Sequence, residues 1–266
     1  MIVSVGQWLG VLVVFGSVGA VETGYYYVAF AIANVILMVA TSLTGLLLPV
    51  LSGMVDGRKR AAGRVLRLSL AFMVPLAVFI GFYPWLPLGL LGSDYVAAGD
   101  VLSVLLLGCV PFALSSCVVS LLYAYGRYNL VLGVGLAQNV PSIILYFLLV
   151  PVFGGFGAAL SYALGRFAGL AAAVVAGGLV GFLFDFRGLA CTVVPPLAAG
   201  FACWVLGVHW IIALIVIAVV SVVSYARLGV VGRGDLREIA YALLSKRVAD
   251  RLGEKMRFIL DFLYGG

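Results

Sequence analysis

Apolar residues fill this chain in long runs broken by short polar stretches, and the run lengths decide what the elements are. From Gly24 the sequence GYYYVAFAIANVILMVATSLTGLLLPVLSG stays apolar as far as Gly53, then meets five cations, Arg58, Lys59, Arg60, Arg64 and Arg67. About 20 apolar residues already cross the roughly 30 Å of hydrocarbon in a bilayer, so this run predicts a membrane span. The same pattern recurs and predicts eight spans, near 1–20, 25–52, 68–91, 97–125, 129–152, 156–184, 189–206 and 209–225. The first two are joined by a VETG turn carrying Glu22. The third contains Pro75, Pro84 and Pro87 and is expected to kink, because each proline removes a helix hydrogen bond.

The loops sort by charge. Glu22, Asp94 and Asp100 fall in turns without a cation, whereas Arg58 to Arg67, Arg127, Arg187 and Arg227 fall in the alternate loops. Short cation-rich loops are retained in the cytoplasm, which predicts cytoplasmic N- and C-termini. The organisation expected is a six-helix bundle over 1–184, two further spans over 185–228 and a cytoplasmic tail over 229–266. In that tail Leu236, Ile239, Leu243, Leu244, Val248, Leu252, Met256, Ile259 and Leu263 recur at helical spacing with cations between them. Such a helix lies either on the anionic inner leaflet or against the protein's own loops. The apolar start carries no leading cation and no cleavage pattern, so it is not a signal peptide; a chain entering the membrane at once reads as the second part of something longer.

Composition agrees. Hydrophobic residues make up 65% and charged residues 10%, against about 25% charged in soluble domains, which excludes a soluble globular protein. The net charge of +6 does not imply nucleic acid, because its cations sit between spans where topology requires them. Cys109, Cys117, Cys191 and Cys203 lie inside apolar runs without metal-ligand spacing and read as small packing residues. The single histidine, His209, stands at a helix end. With no carboxylate pair, nucleophile elbow, P-loop or HExxH, neither an enzyme nor a cofactor or metal site is implied.

The chemistry that remains is polar residues inside spans. Arg166 lies near the middle of the sixth span, where a cation costs roughly 2.5–3.5 kcal/mol on insertion scales. It either holds an anionic substrate group or lipid phosphate, or is satisfied by helix carbonyls and polar groups of the fifth span such as Gln138. Gln138 and Asn139 stand mid-way along that fifth span, and Gln7 lies in the first. Asn34, Thr41 and Thr44 fall near one face of the second span, which lines an aqueous cavity or bonds a partner helix. Four GxxxG pairs, Gly6/Gly10, Gly53/Gly57, Gly165/Gly169 and Gly177/Gly181, are about what chance gives with 34 glycines, so they mark no particular face.

The order of several stretches, GYYYVAFAI, LLLPVLSG, SDYVAAGDVLSVL, YAYGRYNL and LLVPVFGGFGAALSYALG, resembles the C-terminal half of polysaccharide-biosynthesis flippases (Wzx-type), lipid-linked oligosaccharide exporters of the MATE-like (MOP) superfamily. The resemblance implies an all-α transporter of two six-helix bundles with two extra helices, moving a polyprenyl-linked glycan between leaflets. This chain would be the second bundle plus the extra pair. Membrane lipid and a lipid-linked glycan are then its partners, with a separately encoded N-terminal half or a second copy supplying the other bundle. Two alternatives stay open: half of a MATE-type cation-coupled drug antiporter, which requires a carboxylate in mid-membrane, and a non-transporting subunit of a glycan-export complex.

Overall fold

The computed structural model describes residues 2–45, 47–54 and 56–229, with side chains from residue 8 onward; the tail helix expected over 233–264 lies outside them. Among the described residues all regular structure is helical. It falls into two compact units, Met1–Asp185 and Phe186–Gly266. The first holds α1 (Ile2–Val18), α2 (Ala20–Gly45), α3 (Leu47–Gly53), α4 (Arg58–Phe82), α5 (Trp85–Leu91), a 3₁₀ turn (Ser93–Ala98), α6 (Gly99–Leu107), α7 (Cys109–Ala124) and α8 (Tyr128–Leu179). The second holds α9 (Phe186–Val205) and α10 (Trp210–Arg227), which pair through a hydrogen bond of 2.9 Å from the Tyr225 hydroxyl to the Thr192 carbonyl.

Among the described residues six helical segments are long and apolar enough to cross a membrane. Among these α8, at 52 residues, is long enough to cross twice. With α1 and the second half of α8, the apolar segments number the eight expected. α2 shows why they pack as they do. Tyr26, Ala29, Phe30, Ala33, Ile36, Leu37, Ala40 and Thr44 are buried along one stripe at helical spacing. The opposite face is apolar too, with Tyr27, Val35 and Met38 exposed. A helix apolar on every side belongs in lipid, and the alanines on its buried stripe let neighbouring backbones approach closely.

Four boundaries differ from those expected. The turn between the first two spans is a single residue, Gly19 at φ 104°, so Glu22 sits in the first turn of α2. The basic run is not a loop: Arg58 to Arg67 form the opening turns of α4, which begins ten residues before the span expected at 68. Helical backbone satisfies its own polar groups, so the helix continues past the hydrocarbon while long cationic side chains reach water or partners. Arg67 approaches Asp185 at 3.8 Å, and Arg58 donates to the carbonyls of Met54 at 2.7 Å and Ala124 at 3.0 Å. Third, α4 accommodates Pro75 and ends at Phe82, with Pro84 opening α5. Fourth, α8 ends at Leu179, and the chain turns at Gly181 to bury Phe182 and Phe184.

The break in α8 falls at Gly154, whose φ of 57° and ψ of −135° belong to a region that essentially only glycine occupies. Gly154→Ala is expected to lower stability by about 1–3 kcal/mol, read as earlier thermal unfolding in detergent. An unchanged midpoint would mean that the chain does not reverse there.

Candidate functional site

Two halves of α8 fold back on each other across this break, and their contact surface leads to Arg166. Small residues on the second half face the first. A Cβ at Gly165 would collide with Ser142 Oγ and lie 2.8 Å from the Gln138 carbonyl oxygen. A Cβ at Gly169 would lie 2.8 Å from Gln138 Cβ. One GxxxG pair of the four is therefore a close helix contact, within this chain.

Arg166 sits beside that contact, 2% exposed. Its Nη2 donates to the Tyr162 hydroxyl, one turn earlier, at 2.8 Å. Its guanidinium lies between two rings, 4.2 Å from the centre of Phe112 and 4.4 Å from that of Tyr162. Its stem packs on the junction of α6 and α7, where a Cβ at Gly108 would come within 3.3 Å of Arg166 Cγ. A desolvated cation–ring contact contributes about 2 kcal/mol, so two such contacts offset the roughly 2.5–3.5 kcal/mol cost of a cation at this depth. Among the described residues Arg166 pairs with no carboxylate, and its Nη1 has no hydrogen-bond partner.

A second buried phenol extends the cluster. Tyr26 on α2 is fully buried and stacks on Phe30 at 5.9 Å. Phe30 meets Tyr162 edge-on at 5.6 Å. Gly10 of α1 admits this crowding, because a Cβ there would lie 3.0 Å from the Tyr26 hydroxyl and 3.1 Å from that of Tyr146. At the near end of α2, Glu22 leans on the α8 break, its Oε2 3.4 Å from where a Cβ on Gly155 would be. α2 and the second half of α8 thus run in the same direction, Glu22 beside Gly155 and Phe30 beside Tyr162, which brings Asn34 level with Arg166.

The other residues singled out by sequence are placed as follows. Gln138 packs on Gly169 rather than bonding Arg166. Asn139 turns back to its own helix, Nδ2 donating to the Gly135 carbonyl at 2.7 Å. Thr41 and Thr44 do the same, donating to Leu37 at 3.1 Å and Ala40 at 3.0 Å. Thr44 is buried, while Asn34 and Thr41 are half-buried. Gln7 lies on α1 with its side chain outside the described residues. The structure therefore brings Gln138 and Arg166 onto facing halves of α8 and leaves the hydroxyl stripe on α2 self-satisfied. The rings that hold Arg166 went unremarked in the sequence. Tyr162 carries a usable signal, four residues before Arg166 on one helix face; Phe112, on another helix, carries none.

No family model matches the chain. Over 152 residues it is 28% identical to an uncharacterized membrane protein of Methanocaldococcus jannaschii, a stretch that is 54% of this chain and 29% of that protein. Its structure superposes on the lipid II flippase MurJ, in an inward closed conformation, with a TM-score of 0.74 at 15% identity, covering 84% of this chain and 51% of the flippase. The chain spans about half the length of that solved protein and under a third of the curated relative, and it is a multi-pass helical membrane protein with the fold of that part of the flippase.

Proposed function

We propose that these helices form one lobe of a transporter that moves a polyprenyl-linked oligosaccharide from the inner to the outer leaflet of the cell membrane in polysaccharide biosynthesis. The observation that carries the reading is the likeness in fold, over most of this chain, to about half of a lipid II flippase. A second six-helix lobe, from residues beyond this sequence, a separate chain or a second copy, completes the substrate cavity, and substrate crosses by alternating access. Asn34 and Thr41, half-buried on α2, line that cavity. Thr44, Gln138, Asn139 and Arg166 stand behind this wall, Arg166 as a positioning residue that ties the second half of α8 to the α6–α7 junction. Both termini are cytoplasmic in this reading, which the sorting of cations to alternate span ends supports. Among the described residues no carboxylate is buried, which counts against a cation-coupled antiporter built on a mid-membrane acid.

Complementation tests the proposal. In cells depleted of their lipid-linked glycan flippase, this chain expressed together with a six-helix first lobe is expected to restore surface glycan; restoration by this chain alone would show that a second copy serves as the other lobe. Failure of the pair, with both partners present in the membrane, would refute the transport reading.

A further inference from the structure

A concave site lies away from Arg166, at one membrane–water boundary. Asp56, Gly57, Arg58, Lys59, Arg60 and Tyr125 line a cavity of about 390 Å³. Its walls are preset on one side. Arg58 is held by its bonds to the carbonyls of Met54 and Ala124 and lies over the Tyr125 ring, 5.4 Å from its centre. Lys59 and Arg60 are exposed, and the Lys59 ammonium stands 2.9 Å from where a Cβ on Gly181 would be.

The depth of this pocket is marked by the aromatic residues around it. Tyr123 at the end of α7, Tyr125 on the turn and Tyr128 at the start of α8 are all exposed, and Tyr123 meets Tyr128 at 6.0 Å. Exposed tyrosines collect at the headgroup level of a bilayer, where the phosphates of lipids also lie. Three cations against the single carboxylate of Asp56 leave the pocket two charges positive. A phosphomonoester carries about −1.5 to −2 at pH 7, so it matches that excess, and guanidinium groups are suited to its oxygens.

We propose that this pocket binds the phosphate of a phosphomonoester, supplied by the headgroup of an anionic membrane lipid. The site is independent of any transport by the chain. It is tested with the full chain reconstituted in phosphatidylcholine vesicles doped with phosphatidic acid, counting the phosphatidic acid retained on purification by mass spectrometry. Each interfacial cation contributes about a fivefold factor, so K59Q/R60Q is expected to hold the lipid roughly thirtyfold more weakly. R187Q/R227Q removes the same charge at other exposed positions and is expected to hold it as the unaltered chain does. Equal losses in the two variants would overturn the pocket in favour of diffuse attraction. Retention that survives millimolar inorganic phosphate supports the headgroup; displacement by inorganic phosphate overturns the lipid as source and leaves a soluble phosphate in its place. Should the double variant fail to fold, R60Q alone gives the same reading with a loss of about fivefold.

Discussion

Replacing Gly165 by valine is expected to destroy the packing of the first unit. At this position the two halves of α8 touch almost backbone to backbone. The added Cβ would overlap Ser142 Oγ and press on the Gln138 carbonyl at 2.8 Å, and a carbonyl in a helix cannot rotate away as a side chain can. Ordinary overpacking costs about 1–3 kcal/mol; here relief requires separating two helices, which also pulls Arg166 from its rings. The cost should exceed that range and take a large part of the roughly 5–15 kcal/mol that holds a typical fold. Loss of a monodisperse peak in size-exclusion chromatography would report it. Gly133→Val is the control, because Gly133 lies on the same helix and a Cβ there meets nothing within 4 Å. Equal behaviour of the two variants would show that the halves of α8 do not meet at Gly165.

Arg166 separates a structural role from a charge-dependent one. Arg166→Ala leaves a hole between Phe112 and Tyr162 and is expected to cost about 2–5 kcal/mol, as large-to-small core changes do. Arg166→Met is expected to melt at or above the temperature of the unaltered protein. Its thioether fills much of the volume and favours contact with aromatic rings, while the buried charge and the unbonded Nη1 disappear, and exchanging buried charge for well-packed apolar volume is often neutral or stabilising. Thermal unfolding in detergent would decide. A methionine variant melting as low as the alanine variant would show that the cation itself holds the core. A stable methionine variant that no longer transports would assign the charge to the transport cycle.

How far each feature was legible follows from what kind of signal it left. The eight apolar lengths were legible because a span needs only length and hydropathy. Their ends were less so. The basic residues 58–67 read as a loop, yet they are helical, since cations at a membrane boundary are compatible with either backbone. Arg166 was legible as exceptional, because a cation in mid-span is costly wherever it faces. Its surroundings were not: Gly108 and Phe112 come from the α6–α7 segment, and no spacing along the chain links them to position 166. The hydroxyls of α2 were ambiguous in a simple way. A threonine in a span bonds either a neighbour or its own helix, and both choices leave the same sequence; here Thr41 and Thr44 bond Leu37 and Ala40. The glycine pairs were ambiguous for a similar reason, since a glycine shows that room exists but not what fills it. Only the fold shows that Gly165 and Gly169 receive Ser142 and Gln138.

By itself the sequence determined the solvent and the class of this protein. Hydrocarbon thickness converts a run of apolar residues directly into a span, and helices are what a lone segment can form where no water satisfies its backbone. The tertiary structure decided which polar groups meet. It folded α8 back on itself at Gly154, set Arg166 between Phe112 and Tyr162, and gathered Arg58 to Arg60 beside Tyr125. Those pairings depend on close approach between helices far apart in the chain, a short-range property that burial and shape select and that hydropathy along one dimension does not encode.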